Sequence, residues 1–245
     1  MKNSKKQDEI FSQPLKEIKD FSFNETVADV FEDMITRSIP GYGDIVTMIG
    51  VLAKRYYQPK TICYDLGCSL GAVSLSIWEQ LKDDACRIIA IDKSEAMIQR
   101  CQKRIENHNA EKQIELICAD ICNVDFKPSS FMALNFTLQF LPQDIRRSFL
   151  KKLYDGMTKG AALVISEKIL LEPEHANQFQ IDLYHTFKKN NGYSDLEISQ
   201  KRTALEKVLV PESLRTHDER LKAVGFKTVQ HWFQCFNFAS MVAIK

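Results

Sequence analysis

The chain has 245 residues, 44% of them hydrophobic, enough for one large α/β domain or a domain with an accessory element. A net charge of +1 with 27% charged residues lacks the basic excess that nucleic-acid binders usually carry. Seven cysteines (63, 68, 86, 101, 118, 122 and 235), with no Cys-x-x-Cys pair and no clustered histidines, fit reduced thiols in a cytoplasmic protein better than disulfides or zinc.

The opening residues, Met-Lys-Asn-Ser-Lys-Lys-Gln-Asp-Glu, lack the apolar stretch of a signal peptide. No apolar run is long enough to span a bilayer. Residues 1–23 are polar and mixed in charge, so a partly disordered tail is expected there, with one domain over 24–245. Asn24 can cap a helix whose apolar residues, Val27, Val30, Phe31, Met34 and Ile35, share one face. Ile39-Pro-Gly-Tyr-Gly43 breaks it, and a second helix runs from about 44 to 58, closed by Pro59.

From there the pattern alternates. Strand 61–66 leads to helix 70–81, strand 86–91 to helix 94–107, and strand 113–118 ends near Asp120. Strand 130–135 is followed by a helix from Pro142 to about 156, and Gly160 precedes strand 161–167. Apolar runs separated by helices imply a doubly wound, mostly parallel α/β sheet of Rossmann-like type. Such sheets bind ligands beyond the carboxyl ends of their strands, where Asp65, Asp92, Asp120 and Asn135 all fall. Residues 174–224 read as a helical insert with a loop at Asn190-Asn-Gly-Tyr193. Residues 226–233 and 236–244 read as an antiparallel hairpin, giving seven strands.

The most informative segment is Asp65-Leu-Gly-Cys-Ser-Leu-Gly71. An apolar strand ends in Asp65, turns at Gly67 and opens a helix whose free N–H groups face the same spot, as a nucleotide-binding loop requires. A dinucleotide fingerprint needs Gly-x-Gly-x-x-Gly; here Ser69 takes the middle position and no third Gly follows at that spacing. No Gly-Lys-[Ser/Thr] is present to make a P-loop. S-adenosylmethionine, which has no phosphate, remains. Its amine and carboxylate suit the Gly67, Cys68 and Ser69 backbone, with Asp65 as a partner for the ammonium. Asp92 suits a ribose diol, since its two oxygens accept both hydroxyl protons. Asp120 suits the adenine amino group, and the Ile121 N–H a ring nitrogen. Each residue also has a plain reading: Asp92 as the cap of a helix near Ser94, Asp120 as a turn residue, Tyr42 as a surface turn tyrosine rather than a lid. Their order on successive strand ends favours the cofactor site.

These residues resemble the S-adenosylmethionine-dependent methyltransferase superfamily, whose seventh, antiparallel strand the terminal hairpin fits. Three segments, Arg37-Ser-Ile-Pro-Gly-Tyr42, Tyr64-Asp-Leu-Gly-Cys-Ser-Leu-Gly71 and Asn191-Gly-Tyr-Ser-Asp-Leu-Glu-Ile-Ser-Gln-Lys-Arg202, sharpen the match. With Leu134-Asn-Phe-Thr-Leu-Gln-Phe-Leu141 and Trp232-Phe-Gln-Cys-Phe-Asn-Phe238 they resemble the carboxy-S-adenosyl-L-methionine synthase family over about 20–245. The resemblance implies that S-adenosylmethionine is a substrate whose S-methyl group receives a carboxyl group derived from prephenate, leaving phenylpyruvate. The product serves a partner enzyme that carboxymethylates a tRNA wobble uridine, so this chain itself needs neither nucleic acid, membrane nor metal. The resemblance further implies a homodimer with Arg202 reaching the neighbouring site. It implies ligand contacts at Tyr42, Gly67, Cys68, Ser69, Asp92, Lys93, Asp120, Ile121, Asn135 and Arg202, with Arg202 and Tyr42 serving the reaction. Lys93 departs from the family pattern, where a smaller polar residue such as Asn is expected.

The chemistry is coherent. A positive sulfur acidifies its methyl C–H bonds. Carboxylation then needs a proton acceptor, a carbon dioxide source and a cation for the new carboxylate. Prephenate supplies the first two, and arginine, permanently charged and forked, suits the third. On spacing alone Arg202 also reads as a surface helix charge beside Glu206; the resemblance gives it the site role. His185, Lys188, Lys189 and Arg37 are candidates to receive prephenate's carboxylates. Two other classes stand as alternatives. One is an ordinary methyltransferase, although Asn135 is followed by Phe-Thr-Leu rather than Pro-Pro, and no Pro-Cys dipeptide supplies a cytosine nucleophile. The other is a non-catalytic binding protein, against which the intact loop and strand ends argue.

Overall fold

The computed structural model describes residues 6–245, so the first five residues of the expected tail lie outside the described residues. Five apolar runs form the parallel part of one sheet: β1 (Ile62–Leu66), β2 (Arg87–Asp92), β3 (Ile114–Cys118), β4 (Ser129–Asn135) and β5 (Met157–Leu170). Two more follow near the end, β7 (Thr228–Cys235) and β8 (Phe238–Ile244), with a two-residue β6 (Glu212–Ser213) between. The order is β3-β2-β1-β4-β5-β8-β7, and β8 runs antiparallel to both its neighbours. The sequence therefore predicts the doubly wound sheet and its antiparallel last strand correctly.

The helices are α1 (Glu25–Ser38), α2 (Tyr42–Tyr56), α3 (Ala72–Leu81), α4 (Glu95–Asn107), α5 (Gln143–Gly156), α6 (Glu174–Asn190), α7 (Asp195–Leu205) and α8 (Leu214–Val224). Successive side chains of a strand face opposite ways. Cys63 and Phe131 point to one layer, with Ile45 and Ile49 of α2 and Ile77 of α3. Tyr64 and Met132 point to the other, with Phe149 and Leu153 of α5 and Leu221 of α8. Every residue of β1 is buried, which is why it reads as a continuous apolar run and not an alternating one.

Three expectations need correction. β5 begins at Met157, before Gly160 rather than after it. The register of β4 on β5 jumps from Ser129–Met157 to Phe131–Ala162, and Gly160, at φ 77°, lies within that irregularity. The insert is shorter than 174–224, because α8 packs against α5 and β7 as a sheet-flanking helix. It also carries β6, which pairs in parallel with the end of β5; two residues are too few for any period to show.

The segment before residue 24 is laid down on the domain wherever it is described. Asp8, 2% exposed, accepts from the Tyr193 hydroxyl at 2.7 Å and pairs with Lys201 at 3.4 Å. The Gln200 amide donates to the Phe11 and Gln13 carbonyls at 2.9 Å and accepts from the Leu15 N–H at 2.8 Å. The Phe21 N–H donates to the Ala204 carbonyl at 2.9 Å. The segment is thus tied down by hydrogen bonds and an ion pair to α7 and its approach, which its composition cannot reveal.

Helix α2 is held against α3 at Gly50, where a Cβ would stand 2.6 Å from the Ser76 carbonyl oxygen. Ser76 Oγ donates to the Val46 carbonyl at 2.8 Å across the same contact. Because that oxygen is backbone, Gly50→Ala must push the helices apart. It is expected to cost about 1–3 kcal/mol, as overpacking does, read as a lower midpoint in denaturant unfolding.

Candidate active site

The chain leaves β1 through Gly67, at φ 82°, and the Gly67 and Cys68 N–H groups donate to the Ile91 carbonyl at 2.8 and 2.9 Å. A Cβ on Gly67 would lie 2.4 Å from Thr137 Oγ1 of the loop after β4, so two loops meet there with no space for a side chain. Ser69 is also left-handed, at φ 50°, and its N–H donates to Asp92 Oδ2 at 2.9 Å. Asp92 Oδ1 accepts from the Ser94 N–H at 2.9 Å. Two backbone donors thus fix the carboxylate at the cavity wall, so the capping and the ligand readings of Asp92 are compatible. Burial raises its pKa above the ordinary value, and those N–H groups pull it back.

Asp65 is buried, and its Oδ2 accepts from Ser74 N at 2.9 Å and Ser74 Oγ at 2.5 Å. Burial pushes it up to about 7, against the Ser74 hydrogen bonds, and the nearby Asp92 charge adds to the rise. Asp120 caps the short turn Ile121–Asn123 by accepting from the Cys122 N–H at 2.9 Å. Asn135 Oδ1 is buried without a hydrogen-bond partner. Phe136 beyond it has a left-handed backbone, at φ 59°, a strained conformation of the kind that gathers at functional sites.

All of these line one cavity of about 820 Å³, within the ~300–1,000 Å³ typical of small-molecule sites. It brings together Tyr42, Asp65, Gly67, Cys68, Ser69, Asp92, Lys93, Asp120, Ile121, Asn135 and Arg202. Tyr42 opens α2 beside Phe136, ring centroids 6.4 Å apart. Lys93 is exposed, and Arg202 is exposed on α7 with no ion pair among the described residues, to Glu206 or any other acid. Of the other candidates, His185 and Lys188 line the cavity. Lys189 does not: it pairs with Asp195 at 2.6 Å. Arg37 does not either. It donates to Asp33 at 2.9 Å, the Asp8 carbonyl at 2.9 Å and the Asn191 carbonyl at 3.2 Å, and stacks 4.1 Å from the Tyr193 ring. Arg37 binds the N-terminal segment to the fold.

Lys168, Tyr184 and Asn237 also line the cavity and escape the sequence reading. Lys168 was findable: it follows the apolar run of β5, just as Asp65, Asp92 and Asn135 end theirs. Asn237 was not, since it lies in the turn of the hairpin. Phe21, Phe23, Phe31 and Phe140 close another wall, with Phe23–Phe140 centroids 5.3 Å apart. The cavity is electrically divided, with Asp65 and Asp92 at the β1–β2 end and Lys168, Lys188, His185 and Arg202 at the other. Burial, then Lys188, Arg202 and Lys168, holds the His185 ring below its ordinary pKa.

The acidic end, with its two carboxylates and the spare Asn135 oxygen, suits a cationic nucleoside; the Gly67, Cys68 and Ser69 N–H groups, expected to face the ligand, are taken by Ile91 and Asp92. A family model described as a methyltransferase domain matches residues 63–160. In shape the chain is similar to human N-acetylserotonin methyltransferase in complex with S-adenosylmethionine. The TM-score is 0.60 at 15% identity, over 90% of this chain and 55% of that one. It is also similar to the Synechocystis magnesium protoporphyrin IX methyltransferase with bound S-adenosylhomocysteine: TM-score 0.57, 14% identity, 84% of this chain and 83% of that one. The fold is that of the S-adenosylmethionine-dependent methyltransferases. Over nearly its full length the chain is similar to two proteins named carboxy-S-adenosyl-L-methionine synthase. That of Aliivibrio fischeri is 50% identical over 238 residues, 97% of this chain and 98% of that protein. That of Photobacterium profundum is 48% identical over 239 residues, 98% of each. The chain belongs to the carboxy-S-adenosyl-L-methionine synthase family.

An ammonium placed against Asp65 favours its ionised form, so binding S-adenosylmethionine below pH 7 should expel a proton from that carboxyl. Affinity measured by calorimetry is then expected to rise with pH up to about 7, by at most about tenfold per unit, and to flatten above. Asp65→Asn should bind more weakly and without that rise; a variant retaining the wild-type pH dependence would exclude Asp65 as its source.

Proposed function

We propose that this chain converts S-adenosylmethionine and prephenate to carboxy-S-adenosylmethionine and phenylpyruvate. The observation that carries this reading is the divided cavity in a member of this family. An acidic end fits the sulfonium substrate, and a cationic end without paired acids fits a dicarboxylate. Transfer of a methyl group alone calls for no such cluster.

The step balances without a metal or an oxidant. Prephenate loses its ring carboxylate as carbon dioxide while the ring hydroxyl leaves as hydroxide, and the ring becomes aromatic. The hydroxide takes a proton from the S-methyl group and becomes water. The resulting ylide carbon bonds to the carbon dioxide carbon, and the new carboxylate stays on the sulfonium methylene. The protein's part is to hold the two substrates together, exclude water and stabilise the carboxylate. Arg202 suits the last task through two parallel N–H donors. Tyr42, Phe136 and the phenylalanines around Phe23 keep bulk water from the ylide. Asn135 Oδ1, Asp65 and the carbonyl side of the Gly67–Ser69 backbone hold the methionine ammonium, Asp92 the ribose, and Asp120 and Ile121 the adenine.

The reading extends to a homodimer. Arg202 lines its own chain's cavity but is exposed and without an ion pair among the described residues, so it is also free to reach a neighbouring site. The product then passes, in the cytoplasm, to an enzyme that carboxymethylates a tRNA wobble uridine. The near-zero net charge is in keeping with a protein that does not bind the tRNA itself.

Purified protein, denatured and examined by mass spectrometry, should release a ligand with the mass of S-adenosylmethionine plus carbon dioxide. S-adenosylhomocysteine would instead indicate methyl transfer. Arg202→Ala is expected to lose carboxylated product while still binding S-adenosylmethionine. Co-expressing Arg202→Ala with Gly67→Val chains, each inactive alone, should restore part of the activity if Arg202 acts across a dimer. No restoration would place it in its own chain's site.

A further inference from the structure

At the cationic end of the cavity, Lys188 is 6% exposed and Lys168 lies near the end of β5, yet neither has an ion pair among the described residues. The third lysine of this region, Lys201, is neutralised by Asp8 at 3.4 Å and donates to Ser38 at 3.0 Å. Glu167, next to Lys168, faces away and accepts from the Leu138 and Gln139 N–H groups at 3.0 and 2.8 Å. The carboxylate that shares this rim is Glu206.

The two free ammonium groups address one ring. Lys188 Nζ lies 4.4 Å, and Lys168 Nζ 5.4 Å, from the centroid of Tyr184. Beside them Asn237, 1% exposed, leaves its side-chain oxygen unpartnered, while its carbonyl accepts from the Ile169 N–H at 2.8 Å. Buried like charges and an orphaned amide oxygen are costly in a folded chain. Burial and the surrounding cations hold Lys168 down to about 8 and Lys188 to about 7. An anion seated between the two lysines would relieve the cost of their like charges. An aromatic row joins this place to the nucleoside end. Tyr42 and Phe136 centroids are 6.4 Å apart, Phe136 and Phe238 6.1 Å, and Phe238 and Tyr184 5.0 Å.

We propose that Lys168 and Lys188 are the receptor for the carboxylate that the second substrate keeps, with its ring on Phe238 and Tyr184. Arg202 is thereby left to the carboxyl group that is transferred. The assignment rests on the reaction proposed above and adds a division of labour among the cations. A dianion can engage both cationic sets at once. A monocarboxylate fills only the lysine site, so the second contact, at Arg202, distinguishes substrate from product.

The test begins with the wild-type protein, S-adenosylmethionine and prephenate, with carboxylated product read by mass spectrometry. Absence of that product would remove the reaction itself. With the reaction present, Lys168→Met and Lys188→Met are each expected to raise the KM for prephenate at least tenfold and change the KM for S-adenosylmethionine less than twofold. Lys188→Arg should restore most of the loss. Asn237→Asp, which places an anion beside the lysines, should raise the prephenate KM as well. The methionine variants should melt no lower than wild type, because each removes an uncompensated buried charge. Lower Tm values with an unchanged prephenate KM would mean the lysines serve the fold, and the receptor assignment would fall while the reaction stood. If neither methionine variant accumulates, Asn237→Asp is judged by the same KM criterion.

Discussion

The crevice at the carboxyl ends of β1 and β4 is the constraint on which the rest of this molecule depends. Parallel neighbours cannot be joined by a tight turn; each needs a crossover that packs on the sheet. From β1 the chain winds outward to β2 and β3, and β4 then returns to the opposite side of β1. The chain therefore leaves β1 toward one face and β4 toward the other, and the strand ends part between them. Gly67 and Thr137 mark the root of that opening, close enough that a single methyl group would fill it. The strand-end residues reach one cavity because their strands end on this side of the sheet, and α2 and α7 bring Tyr42 and Arg202 over it.

Within the crevice, charge separates two tasks. Asp65 and Asp92 are held at one end, each oriented by backbone N–H donors and each with a raised pKa from burial. The lysines and Arg202 are held at the other. Elsewhere buried cations have partners, as where Arg146 and Arg220 share Glu212. The contrast is informative: the fold neutralises a buried charge where it serves packing and leaves it open where a ligand can neutralise it. Such a site costs stability in the free protein and gains specificity when filled, because the wrong ligand leaves charges unpaired.

The cover over this crevice comes from the chain's beginning. Asp8 gathers Tyr193, Lys201 and the Asp33 carboxylate around itself, and Arg37 clamps the same stretch through the Asp8 carbonyl. From there the strap runs to Phe21 and Phe23, which form cavity wall. Two of the segments that mark the family thus serve two ends: Arg37 and Tyr193 hold the strap in place, while Tyr42 and Arg202 of the same segments line the cavity. Part of the Trp232–Phe238 segment acts similarly, since Phe233 packs against Gly41 at the entrance to α2. A residue's presence in a family motif does not by itself give it a chemical role.

The parallel strands, the nucleoside loop and the acidic strand ends were legible in the sequence because each is a local signal. An apolar run, a turn glycine and a polar residue at a strand end lie within a few positions of one another. Lys168 carried the same signal. Asn237, the strap over residues 6–23, the two-residue β6 and the packing of α8 against the main sheet carried none, for their meaning comes from partners as far as 193 positions away, as in Asp8 and Lys201. The sequence by itself determined the fold class and the kind of nucleoside the chain can hold, because backbone turns and strand ends are set by neighbouring residues. Only the tertiary structure decided which cations are free. Among the described residues Arg37, Lys189 and Lys201 proved to be paired, and Lys168, Lys188 and Arg202 did not. Whether a charge has a counter-ion is a matter of distance in space, on which composition and spacing are silent.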